Sequence, residues 1–204
     1  MNVTSEVRSP KSEVTTGSTS DSGHRTSDDE RRTRVAIALG SNIGDREGHL
    51  RYAVDRLAGL LTNLRVSPFI ETEPQEVRSP QPLFLNGAVV ADTGLAARPL
   101  LEALLAIERE RGRKRPHAGA PRTLDLDLVL FGSETIDEPG LKVPHPRFRR
   151  RRFVLEPLAV IAPEMLDPVT GLTVEELLKG LAREGIADQG TAGPGKRDPL
   201  IPDP

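Results

Sequence analysis

Asp125 and Asp127 stand two positions apart in Thr123–Phe131 (TLDLDLVLF), a segment whose alternation fits a β-strand. At that spacing both carboxylates project from one face, roughly 7 Å apart along the backbone, while Leu124, Leu126 and Leu128 project from the other. Two like charges brought together where the dielectric is low cost stability. A divalent cation removes that cost. Mg²⁺ is satisfied by one or two protein carboxylates and takes its remaining ligands from water and substrate phosphates. The alternative is a solvated strand face with each Asp paired to an Arg. Basic residues weigh against it, because they crowd into two windows: Arg109, Arg111, Arg113, Lys114, Arg115 and Arg122, then Arg147 and Arg149 to Arg152. Each window alone reads as a helix end or a solvated charge run. Beside a carboxylate pair they suit a polyphosphate, whose oxygens take both a metal and bidentate Arg bonds.

Other candidates surround this constellation. His145, in Val143-Pro144-His145-Pro146, lies between the Asp pair and the second basic window and suits a phosphate donor more than a base. His24, His49 and His117 read as ordinary surface or packing residues. Asn86 interrupts an apolar strand, where a buried amide needs partners, and its donors and acceptor match a heterocycle edge. Phe84 shares the face of Asn86, and Phe153 offers a second aromatic wall, although core packing is the commoner use of either ring. Gly40-Ser41-Asn42-Ile43-Gly44 lacks the Gly-Lys-Ser/Thr of a P-loop and the full dinucleotide spacing, so it reads as a turn.

These residues need elements to hold them. Val35–Leu39 is an apolar run that fits a buried strand. Leu50 to Leu61 recurs at helical spacing behind Asp45, a natural N-cap. Leu64–Thr72 alternates as a second strand before a Pro-rich loop over 73–82, and Leu83–Ala91 forms a third strand expected to pair with the second. Leu95–Arg111 is a helix, and Thr123–Phe131 is the fourth strand. The order β-α-β-β-α-β predicts an α+β, ferredoxin-like fold whose antiparallel sheet packs helices on one face. Two further helical segments follow, around Phe153–Ile161 and Val174–Leu181.

Composition bounds the rest. The chain has 204 residues, 28 Lys+Arg against 30 Asp+Glu, a formal charge of −2 and no Cys. One domain is expected over 34–185, flanked by a Ser/Thr-rich tail over 1–33 and a Pro/Gly-containing tail over 186–204, both too poor in apolar residues to fold. No global field draws the chain to nucleic acid or membrane. The absence of Cys excludes thiolate metal sites and a cysteine nucleophile and fits a reducing compartment. No apolar run could span a bilayer, and no signal-peptide core is evident, so a cytoplasmic protein is expected.

Ala38-Leu39-Gly40-Ser41-Asn42, Phe84-Leu85-Asn86, Gly119-Ala120-Pro121-Arg122-Thr123-Leu124-Asp125-Leu126-Asp127 and Val143-Pro144-His145-Pro146 together resemble the signature segments of the 6-hydroxymethyl-7,8-dihydropterin pyrophosphokinases, in the same order, over about residues 34–180. The resemblance implies transfer of pyrophosphate from the co-substrate ATP to the pterin hydroxymethyl group, with release of AMP, in folate biosynthesis. It implies that Asp125 and Asp127 hold two Mg²⁺ ions and act in catalysis with Arg113 and Arg122. Glu108, Arg113, Arg122, His145 and Arg151 would contact the nucleotide, and Thr72, Glu73, Pro74, Phe84, Asn86 and Phe153 the pterin. The loops over 73–82 and 113–121 would close over ATP. A monomer, with possible association with other folate-pathway enzymes, is expected. The chain departs from many members in having no Trp before Pro121 and Phe rather than Tyr at position 84. Two rivals are a DxD-type nucleotide-sugar transferase, which calls for a larger domain, and a ferredoxin-like RNA-binding module, which calls for more exposed aromatics than this chain carries.

Overall fold

The computed structural model describes Met1 and residues 32–75, 80–112 and 120–183. The chain divides into a unit over Met1–Glu30 and another over Arg31–Pro204, and the elements all belong to the second. The first strand, β1 (Thr33–Ser41), is buried on both faces from Val35 onward, which is why its middle reads as an unbroken apolar run. It runs two residues further than expected, so that Gly40 and Ser41 lie in the strand and the turn begins only at Asn42. Helix α1 (Arg46–Ala58) follows, and the Asp45 carboxylate caps it by accepting from the Gly48 amide at 2.9 Å.

The expected second strand is two short ones, β2 (Thr62–Val66) and β3 (Ile70–Thr72), both paired antiparallel with β4 (Phe84–Thr93). Ser67 makes the break: its amide donates to the Ala88 carbonyl at 2.9 Å, and its hydroxyl accepts from the Ala88 amide at the same distance. Helix α2 (Ala97–Glu110) leads to β5 (Asp125–Phe131). The sheet order is β2-β4-β1-β5 with β3 also on β4, the antiparallel pairing that the ferredoxin-like reading requires. A small hairpin, β6 (Ile136–Glu138) with β7 (Leu141–Val143), was not anticipated. A 3-10 turn over Phe148–Arg150 and helices α3 (Arg152–Ile161) and α4 (Val174–Arg183) complete the described chain.

Both faces of the sheet are covered, not one. Val35, Ile37, Leu39, Val89, Leu126 and Leu128 pack with Leu50 and Leu57 of α1 and Leu100 and Leu104 of α2. Ala36, Ala38, Ala88, Val90 and Val129 pack with Phe148, with Val154, Leu155 and Leu158 of α3, and with Leu177 and Leu181 of α4. A β-bulge at Val129 shifts the pairing of β5 with β1, from Ile37 opposite Leu128 to Ala36 opposite Leu130. Leu128 and Phe131 therefore join the first core, and Val129 and Leu130 the second.

Candidate active site

The α3-side core does not reach the end of the sheet where β1 stops and β4 and β5 begin. There the inward positions are polar. In register across three strands, Asn86 of β4 and Asp125 of β5 both lie opposite Gly40 of β1, and Ala88 and Asp127 both lie opposite Ala38. Neighbouring strands are about 4.8 Å apart, so Asn86 and Asp125 flank the middle strand at about twice that spacing. Gly40 makes the floor between them. A Cβ there would come within 3.0 Å of Asn86 Oδ1 and 3.9 Å of Asp125 Cβ, with Phe84 Cδ1 at 3.8 Å. The small residues of β1 thus leave a trough with an amide on one bank and two carboxylates on the other.

Asn86 is buried, and its amide nitrogen donates to Thr72 Oγ1 of β3 at 2.7 Å. Phe84 and Phe153 are both half-buried. The Arg122 guanidinium lies over the Phe84 ring at 5.5 Å and the Arg151 guanidinium over the Phe153 ring at 5.4 Å. Each of these arginines also reaches a carboxylate: Arg122 Nη1 is 2.7 Å from Asp125 Oδ2, and Arg151 Nη1 is 3.6 Å from Asp127 Oδ2. His145 Nε2 stands 3.9 Å from the same Asp127 oxygen. The loop carrying His145 follows a cis Val143–Pro144 peptide and is tied to β5 where the His145 amide donates to the Val129 carbonyl at 2.9 Å. Arg151 is the N-cap residue of α3.

Burial in this pocket, and next the charge of Asp125, push the Asp127 carboxyl above its ordinary range, while His145, Arg151 and Arg122 pull the other way. Burial likewise lowers the His145 imidazole, aided by Arg151 and Arg147, against the pull of Asp127 and Asp125. Two carboxylates on one face, one of them raised, form a set of hard oxygen donors whose repulsion a dication would relieve. No group of three or more His, Cys, Asp or Glu converges among the described residues, so the pair is not part of a closed protein cage. Arg122 Nε is buried and has no hydrogen-bond partner among the described residues, so the guanidinium keeps a donor in reserve.

The structure brings together Thr72, Phe84, Asn86, Arg122, Asp125, Asp127, His145, Arg151 and Phe153. Glu73 is exposed and Pro74 half-buried, both directly after β3. Arg113 lies outside the described residues, as do most of the loop over 113–121 and residues 76–79 of the loop over 73–82. Glu108, expected to touch nucleotide, is only 2 % exposed, and its Oε1 accepts from the Leu126 amide at 2.7 Å, linking α2 to the start of β5. Asn42, taken with its neighbours as a plain turn, positions the site. It is fully buried, its Oδ1 accepts from the Arg122 amide at 2.8 Å, its own amide donates to the Arg122 carbonyl at 3.1 Å, and its Nδ2 donates to Gln81 Oε1 at 3.0 Å. A polar residue directly behind an apolar strand was the available signal, but its partners lie far away in sequence.

An antiparallel ferredoxin-like domain with a carboxylate pair and guanidinium groups at one end of its sheet has the equipment of a phosphate-transferring enzyme. Its family follows from comparison with known proteins. Residues 36–163 match the model of the family described as 7,8-dihydro-6-hydroxymethylpterin-pyrophosphokinase (HPPK), and the chain belongs to that family. It is 44 % identical over 155 residues to the 2-amino-4-hydroxy-6-hydroxymethyldihydropteridine pyrophosphokinase of Pseudomonas aeruginosa, covering 75 % of this chain and 94 % of that one. To the Bacillus subtilis protein of the same name it is 45 % identical over 142 residues, 69 % of this chain and 84 % of the other. The fold is similar to the crystal structure of wild-type Plasmodium falciparum HPPK-DHPS with SDX-DHP, at a TM-score of 0.62 and 14 % identity, over 77 % of this chain and 46 % of that longer one.

Proposed function

We propose that the trough at the end of the sheet is where this chain, a diphosphokinase of folate biosynthesis, transfers the β,γ-pyrophosphoryl group of ATP to the hydroxymethyl oxygen of 6-hydroxymethyl-7,8-dihydropterin. The observation that carries this reading is the register of Asn86, Gly40 and Asp125, which sets a heterocycle-binding amide and an acidic pair on opposite sides of a side-chain-free floor. The pterin lies on the Asn86 side, between the Phe84 and Phe153 rings, with Thr72 and the backbone of Glu73 and Pro74 closing the pocket. The triphosphate lies across Asp125 and Asp127.

Asp125 and Asp127 would hold the magnesium of MgATP, two ions by resemblance, which would supply charge neutralisation to the phosphates. Arg122 leaves Asp125 for a phosphate oxygen as nucleotide arrives, using the Nε donor it holds in reserve. Arg151 and His145 add positive charge and hydrogen-bond donors from the α3 side, and Arg113 from its own loop. The pterin oxygen bonds to the β-phosphorus, the bond from that phosphorus to the α,β-bridging oxygen breaks, and AMP departs with that oxygen. The hydroxyl proton passes to Asp125, the carboxylate nearer the Asn86 side, or to water. Phosphoryl transfer needs alignment and charge stabilisation more than a strong base, and these residues supply both.

We further assign the chain to the cytoplasm, as a monomer able to associate with other enzymes of folate synthesis. No described helix is long and apolar enough to cross a membrane. The HPPK-DHPS chain of Plasmodium falciparum supports the association. The test is AMP release from MgATP with and without the pterin, for the native chain and Asp127→Ala. Release should require the pterin and should fall in the variant by about a thousandfold, equivalent to several kcal/mol of transition-state stabilisation. Pterin-independent release, or an unaffected variant, would overturn the reading.

A further inference from the structure

His49 looks like an ordinary surface histidine of α1, but its imidazole has a definite partner. Nδ1 accepts from Arg111 Nε at 2.9 Å, across 62 positions of sequence. A guanidinium only donates, so the accepting nitrogen carries no proton, and the ring is neutral with its hydrogen on Nε2. Arg111 is the C-cap of α2, and its guanidinium lies over the Tyr52 ring at 4.8 Å. Its main-chain carbonyl accepts from Thr123 Oγ1 at 2.9 Å. Thr123 adjoins Arg122, whose guanidinium pairs with Asp125. A short relay therefore runs from α1 through the end of α2 to the arginine that enters the trough. The far edge of the ring lies beside Gly44, whose φ is +72° and where an added Cβ would come within 3.2 Å of Nε2.

We propose that neutral His49 is a positioning residue for Arg122: it fixes Arg111, whose carbonyl anchors Thr123 and with it the backbone that aims the Arg122 guanidinium. Protonation would remove the lone pair that Arg111 needs and set a second positive charge against it. The charged groups around the contact are Arg111 from α2, Asp45 from the turn before α1, and the Glu110 carboxylate, held by the Tyr52 hydroxyl at 2.6 Å and by Arg56. Burial, and then the Arg111 charge, keep the imidazole below its ordinary value against the pull of Asp45. The neutral form therefore prevails at pH 7, and the contact fails once acid protonates the ring.

This inference rests on the role given to Arg122 above, so Arg122→Ala is assayed alongside His49→Leu and His49→Gln in the full chain. Expected for His49→Leu is a roughly three- to tenfold lower kcat/KM for MgATP at pH 7.5, the net worth of one ordinary hydrogen bond acting at second hand on Arg122. His49→Gln, which accepts but does not titrate, should restore most of it. The ratio of His49→Gln to native kcat/KM should rise as pH falls from 7.5 through the range in which imidazole nitrogen shifts show native His49 taking its proton, which a purely packing role for the ring would not produce. Imidazole nitrogen shifts should report the Nε2–H tautomer at pH 7.5. A ratio flat with pH, an Nδ1–H tautomer, or an unchanged His49→Leu beside a crippled Arg122→Ala would overturn the role of His49 alone. Normal turnover by Arg122→Ala would overturn it together with the reading of the site.

Discussion

Two Arg–Asp pairs in this molecule use the same chemistry to opposite ends. In the turn between α3 and α4, Asp167 is fully buried and its carboxylate is saturated: Arg149 donates to it from Nε and Nη2, each at 2.6 Å, Thr170 Oγ1 at 2.6 Å and the Val169 amide at 3.2 Å. Burial alone would raise that carboxyl. The bonds from Arg149, Thr170 and the Val169 amide outweigh it, together with the Arg149 charge, and hold it below the usual range. Arg122 and Asp125 also meet closely, but Asp125 shares its face with Asp127, and Arg122 Nε has no hydrogen-bond partner among the described residues. One carboxylate is satisfied within the fold. The other pair keeps charge and donors available for a ligand, and the raised Asp127 carboxyl is the cost of doing so.

The largest expected effect separates them by stability. Asp167→Ala strands the Arg149 guanidinium and should cost about 3–5 kcal/mol in denaturant unfolding, while the protein that remains folded keeps its turnover. A smaller loss, or a fall in turnover per folded molecule, would mean that the C-terminal pair is not purely structural. Arg122→Ala should do the reverse. We expect a hundred- to thousandfold lower kcat, as for removal of one preorganised donor, with a loss of stability well below that of Asp167→Ala, because the Asp125 carboxylate is only part-buried and keeps access to solvent. Acid sharpens the contrast further. Because the folded Asp167 carboxyl is depressed, its contribution is complete above the unfolded value near 3.9 and is lost as pH falls through the lower, folded value. The stability gap between the native chain and Asp167→Asn should accordingly be constant from pH 7 to about 4.5 and close below pH 4. Circular-dichroism melts across that range would reveal a gap that persists to low pH, the result that would refute it.

Smaller still is Gly40→Ala. Its methyl would meet Asn86 Oδ1 at 3.0 Å, so KM for the pterin should rise several-fold, about 1 kcal/mol, with KM for ATP less affected. Smallest is Arg152→Ala, which loses only an exposed contact of 3.2 Å to Glu156 one turn along α3. Less than 0.5 kcal/mol of stability and no change in turnover are expected, although Arg152 stands directly beside Arg151.

Arg152 and its neighbours mark where sequence reading stopped. From Arg147 to Arg152 the sequence offers a single basic window. In the fold Arg149 turns to Asp167, Arg151 to Asp127 and Phe153, and Arg152 to the surface, because consecutive residues entering a helix point in different directions. Leu64–Thr72 read as one strand because its alternation hides the role of Ser67, which is visible only once Ala88 lies opposite. Asn42 and His49 escaped notice for the same reason: Arg122 and Arg111 are distant in sequence.

What the sequence determined by itself was everything local period and turn chemistry control. That covers the β-α-β-β-α-β succession, apart from the split of its second strand, the shared face of Asp125 and Asp127, the cap at Asp45 and the strand that carries Asn86. Those follow from backbone geometry, which repeats every two residues in a strand and every 3.6 in a helix whatever the neighbours are. Only the tertiary structure decided that Gly40 would lie between Asn86 and Asp125, that α3 and α4 would cover the second face, and which arginine would meet which carboxylate. Such pairings depend on distances across strands and helices, and charges close enough to matter are seldom close along the chain.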